Sequence, residues 1–183
     1  MRHTFRHGSA ALALVLAACG GEAETASAGG GDRGRLDVCG LATPAEVATI
    51  VGAPSVDTSG KFTEHSHTSP PTYSASCFYA AEGAVVMVVV HYPVRGSVPS
   101  ADELASSVTD HIRSQEESDP AIAEMYRRLQ VTPVPELPAP AAEYEIAGTT
   151  TLEARVGDRT VQVNAGSSDI ARRVARRLIE RLG

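Results

Sequence analysis

The order in which helix and strand signals fall along this chain predicts an α+β fold: a mainly antiparallel sheet covered by helices, in a single domain behind a disordered N-terminal stalk. Three observations carry that expectation. The signals come in blocks, as helix, strands, two helices, strands and helix, rather than alternating as a parallel βαβ sheet requires. The run "AVVMVVVHY" from Ala84 to Tyr92 is a strong strand, apolar and rich in Val. Residues Gly20 to Arg35 have no hydrophobic periodicity, and the composition turns globular at Leu36. With 183 residues there is room for one domain plus a tail.

The elements follow in order. Thr43-Pro44-Ala45-Glu46 is a helix start, with Thr43 able to cap, Pro44 suited to the first helical position and Glu46 placed for a capping box. Val47, Ile50 and Val51 fall on one face, and Gly52 stops the helix before Pro54. Ser55 to Thr72 is polar with two prolines and reads as a weak strand followed by a loop. Tyr73 to Tyr79 and Ala84 to Tyr92 form a hairpin around Glu82-Gly83. The continuous apolar character of the second strand predicts that both of its faces are covered.

Ser100 to Glu103 is a second capping box, opening a helix with Leu104, Val108 and Ile112 at four-residue spacing. Asp119-Pro120 starts a shorter helix through Leu129. Pro133, Pro135, Pro138 and Pro140 mark an extended connection with little room for a central strand. Glu143 to Ala147, Thr150 to Val156 and Thr160 to Ala165 read as three short strands, the last two joined by Gly157-Asp158. Ser167 or Ser168 caps a terminal helix with Ile170, Val174, Leu178 and Leu182 on one stripe. Five arginines from Arg172 to Arg181 lie mostly on its other side.

Composition excludes some function classes. The sequence is 43% hydrophobic, enough for a core, but aromatics are 4% and Trp is absent, so the core is Ala, Val, Leu and Ile. A large stacking platform for nucleotides or sugars is not expected from so few rings. A net charge of −6 disfavours general nucleic-acid binding, which needs clustered Lys and Arg. Lys61 is the only lysine, a bias that points to no mechanism.

Residues 1–18 have the three parts of an export signal: Arg2 and Arg6, an apolar run from Ala10 to Ala18, and small residues at the cleavage site. The run is shorter than the roughly 20 residues that span a bilayer. Leu16-Ala17-Ala18-Cys19 resembles the lipobox of bacterial lipoproteins, in which the cysteine thiol receives diacylglycerol and becomes the new N-terminus. The resemblance implies a lipidated tether over residues 19–35 and a partner in the membrane itself, held through Cys19. Each buried methylene adds roughly 0.8 kcal/mol, so two or three long chains make a lasting anchor. Gly20 stands where Asp would signal inner-membrane retention, which points to the outer membrane if the cell has one. The competing reading is an ordinary signal cut after Ala18; for the tether, it is an arm that folds onto a partner.

If Cys19 is lipidated, Cys39 and Cys77 remain in an exported domain, and an even remainder suits one disulfide. The chain-entropy model values a loop of that length at roughly 4 kcal/mol. Two unlinked buried thiols are the other reading. The stretches "CGLATPAEVATIVGAP" and "SCFYA", the latter before a strong strand, resemble a group of exported bacterial lipoproteins of unknown function. Their domains open Cys-x-Leu-x-Thr-x-x-Glu-Val and later show a Cys followed by an aromatic. "TLEARVGDRTVQVNAG" and the helix after it also resemble that group's C-terminal strand pair and helix. The resemblance implies a sheet layered with helices over residues 39–183. Residues 131–142 do not map onto it, and the group has no shared catalytic motif.

Glu64-His65-Ser66-His67 is the cluster closest to chemistry. Two imidazoles two apart in a loop, with His91 or Glu64, are weak candidates for a transition metal, but no HExxH or Cys-rich spacing accompanies them. A solvent-exposed polar loop is the favoured reading. Ser97 follows Gly96 without a Gly-x-Ser-x-Gly frame. Asp102/Glu103 and Glu116/Glu117 suit capping and solvation, and Gly29-Gly30-Gly31 has no phosphate-binding context. The Arg face reads as a solvated helix surface, with contact to anionic headgroups or an acidic partner as its alternative.

The expectation is therefore an exported, lipid-anchored, non-catalytic binding module of the cell envelope, with no cofactor and no nucleic-acid partner. An envelope protein is the expected partner. A small-ligand or metal receptor built on the His65/His67 loop is the alternative.

Overall fold

In the computed structural model the described residues are 35–65, 70–116 and 129–183. The signal, Cys19 and nearly all of the tether lie outside them, as do Gly29-Gly30-Gly31, His67, Glu117 and all but the end of the helix expected from Asp119 to Leu129. The described residues form an α+β domain around one seven-stranded antiparallel sheet.

The strands are β1 (Asp57–His65), β2 (Thr72–Ala81), β3 (Ala84–Tyr92), β4 (Thr132–Pro133), β5 (Ala141–Ile146), β6 (Thr149–Val156) and β7 (Arg159–Ala165), in the spatial order β1-β2-β3-β7-β6-β5-β4. The helices are α1 (Val38–Leu41), α2 (Pro44–Val51), α3 (Ala101–Glu116) and α4 (Ser168–Leu182). Alternation along the strands sends Val86, Val88, Val90, Val161, Val163 and Leu152 to one face, all essentially inaccessible to solvent. There they meet Val38 of α1, Val47 of α2, and Val174 and Leu178 of α4. Fully burying a Val or Leu side chain contributes roughly 1.5–3 kcal/mol, so this layer dominates stability. Cys39 and Cys77 are joined as a disulfide, their Cα atoms 5.2 Å apart, tying α1 to β2.

The helix ends form as the capping patterns predict. Thr43 Oγ1 accepts from Glu46 N at 3.4 Å while Glu46 accepts from Thr43 N at 3.0 Å, and Gly52 closes α2 at φ 75°. Ser100 and Glu103 exchange the equivalent pair at 3.2 and 2.7 Å ahead of α3. Ser167 caps α4 through Ile170 N. α3 lies on the opposite face of the sheet, where Leu104, Ala105, Val108 and Ile112 pack on Ala142 with Tyr144 beside them. Adjacent Ala141 and Ala142 thus serve two separate cores.

Two expectations need correction and one is sharpened: the weak strand expected in the stretch from Ser55 is a nine-residue edge strand, β1, paired along its whole length with β2, because the exposed ladder of β2 recruits it despite its polarity. His65 and Glu64 therefore stand at a strand end rather than in a loop. Among the described residues β3 is covered on one face only: Val85 is 51% and Met87 37% exposed, since the packing of α3 is on β4 and β5 rather than on the β2–β3 side of that face. The proline-rich connection contributes the two-residue strand β4 at the sheet edge, where Pro is tolerated. The turn between β6 and β7 has Gly157 at φ 57° in its first position, as a type II′ turn requires.

Candidate functional site

The open face of the sheet has two ends of different character. Near the β2–β3 hairpin, register aligns Phe78, Met87, Asn164 and Thr151 in one row across β2, β3, β7 and β6. Phe78 is 41% exposed, and Ala80 and Val85 stand opposite each other in the next row. Phe78, Val85 and Met87 line a groove of about 660 Å3 with Asn164, Thr149 and Ile170, and no charged side chain lines it. Asn164 Oδ1 accepts from Thr151 Oγ1 at 2.9 Å and from Gln162 Nε2 at 3.4 Å. Its Nδ2 is buried and, among the described residues, has no partner. Leaving a buried donor unsatisfied costs roughly 1–3 kcal/mol, a local cost of this arrangement. Sequence periodicity missed this site, because an unbroken apolar strand does not say which face is bare.

At the other end, His65 of β1 and His91 of β3 line a cleft of about 540 Å3 with Thr72, Tyr73, Tyr92 and Arg95. Ser74 is directly opposite His91 in the ladder, and its Oγ lies 3.1 Å from His65 Nε2. Crowding by neighbouring groups, and then the charge of His65, hold His91 below its ordinary pKa while the ring keeps an open side to solvent. Glu64, an expected companion of His65, alternates to the other face of β1. Among the described residues no three His, Cys, Asp or Glu side chains converge on a metal position. Phe62 stacks on Tyr73, whose ring is tilted against Tyr92, with Arg35 over Phe62 at 5.6 Å and Leu36 N donating to Tyr92 OH at 2.8 Å. The chain thus enters the domain at this end.

The arginines of α4 make internal contacts. Arg172 binds Glu143 and Glu136, Arg173 reaches Asp169 and the Ile50 carbonyl, Arg177 pairs with Glu180, and Arg181 with Glu46. Arg172 holds the Glu143 carboxyl below its ordinary pKa. Arg181 and Thr43 hold that of Glu46 at about 2. The face expected as simply solvated therefore clasps α4 to α2, β5 and the proline-rich connection. Asp102 and Glu103 sit in the first turn of α3, Glu103 serving its cap, and Ser97 is exposed. No family model, no curated protein and no solved structure matches the chain.

Proposed function

We propose that this protein is an exported lipoprotein of the cell envelope, anchored through acylated Cys19, that acts as a non-catalytic binding module for another envelope protein. The observation that carries the binding reading is the uncharged groove lined by the exposed apolar side chains of Phe78, Val85 and Met87. Exposed apolar surface of this kind marks interaction sites. Its chemistry selects an uncharged segment of the partner, one that places apolar side chains on Phe78, Val85 and Met87. The lipobox-like Leu16-Ala17-Ala18-Cys19 and the polar residues after it support the anchoring.

The test is site-specific photocrosslinking from position 80, beside the groove, in cells carrying the full chain. The reading expects a discrete protein adduct that M87K abolishes while the purified domain keeps its thermal midpoint. An adduct indifferent to M87K, or none, contradicts it.

A further inference from the structure

We propose that His65 and His91 together form a two-imidazole site for a divalent transition cation such as Zn2+ or Cu2+. The two residues lie on different strands, β1 and β3, and the fold brings them to one cleft through the β1–β2 and β2–β3 registers. Ser74 is the meeting point. It is the ladder partner of His91 and touches His65 Nε2 at 3.1 Å, and both histidines line the same cleft. The cleft is open to solvent on the His91 side, which gives an ion a way in.

The donor set fixes the class of ion. Imidazole nitrogen at about 2.0–2.1 Å suits Zn2+, Cu2+ and Ni2+. Ca2+ and Mg2+ require several oxygen donors, chiefly carboxylates and waters. The described residues lining the cleft include no carboxylate and do include Arg95, so an ion held by charge alone is disfavoured. Each ring donates a nitrogen lone pair. Two protein donors leave the other coordination positions to water or to an exchangeable ligand, for which the cleft has space. Ser74 exchanges its contact with His65 Nε2 for one with a metal-bound water.

The site lies two rows along the sheet from Phe78 and Met87, so it is independent of the protein-docking groove and stands or falls separately.

The experiment uses the mature chain with Cys19 replaced by Ser, Cys39–Cys77 left oxidised, and Zn2+ or Cu2+ added with Ca2+ and Mg2+ as controls. Imidazole NMR of the unsubstituted domain needs no histidine variant: the inference expects the His65 and His91 ring signals to respond together and to saturate at one Zn2+. Calorimetry is then expected to show H65A and H91A each weakening binding by at least about tenfold, as loss of even an outer-shell partner does. H67A is expected to stay within twofold. A response of one ring only, an unchanged affinity in H91A, equal binding of Ca2+, or ring shifts produced by phosphate instead of metal would each overturn it.

Discussion

Glu46 and Arg181, 135 residues apart in sequence, meet at 2.9 Å across the contact between α2 and α4. The same carboxylate accepts from the backbone of Thr43, so one side chain closes the start of α2 and clamps the end of α4. This double use is why its pKa falls from 4.5 to about 2.

A pH dependence follows from that value. A carboxyl depressed on folding stabilises fully above its unfolded pKa and loses the contribution as pH falls through the folded one. The difference in stability between wild type and E46Q is therefore expected to be constant above about pH 4.5 and to shrink towards pH 2. Because the pair is partly exposed, the plateau is expected at no more than about 1 kcal/mol and to fall with added salt. Urea denaturation at a series of pH values checks this; a difference that grows on acidification contradicts it.

The Cys39–Cys77 bridge closes a loop of 38 residues between α1 and β2. Replacing both cysteines with alanine is expected to destabilise the domain by about 3–4 kcal/mol, mainly by freeing the unfolded chain. Gly60 of β1 adds a local check, since a Cβ there would come 3.3 Å from Cys39 Sγ. G60A is expected to be tolerated less well in the oxidised protein than in the double alanine variant, measured as the shift in thermal midpoint.

Arg155 is only 4% exposed, yet its hydrogen bond goes to the Val94 carbonyl at 2.7 Å, and among the described residues its Nε has no partner. It pins the segment after β3 to the middle of the sheet. R155A is expected to cost about 1.5–3 kcal/mol, the worth of a hydrogen bond from a charged group. R155M is expected to cost less, because it refills the volume and buries no orphaned donor. Equal losses in equilibrium unfolding would contradict that division.

Val85 and Met87 make no call on the core, so V85T and M87T are expected to leave stability within about 0.5 kcal/mol of wild type. Both are expected to reduce capture of the proposed envelope partner. A large loss of stability would mean that the open face supports the fold itself.

Local signals made much of this fold legible. Thr43 with Glu46, Ser100 with Glu103, and the stripe Ile170, Val174 and Leu178 each act within a few residues, so spacing alone reveals them. β1 was legible only as a weak strand, because Phe62 is its single large apolar residue and the strand exists through its ladder to β2. The bare side of β3 was hidden by its own uniformity, since Val85 and Val86 look alike until the fold buries Val86 in the core and leaves Val85 half exposed. At the sites, His65 and His91 were visible as residue types. Their common cleft depends on two strand registers, as the row of Phe78, Met87 and Asn164 depends on the pairing of β2, β3 and β7.

The proposed envelope address rests on acylation of Cys19, and intact-mass analysis of the protein purified from membranes tests it most directly. The account predicts a mature chain beginning at residue 19 whose first residue carries diacylglycerol, with C19S no longer membrane-bound. A mature chain with an unmodified Cys19 thiol would contradict it.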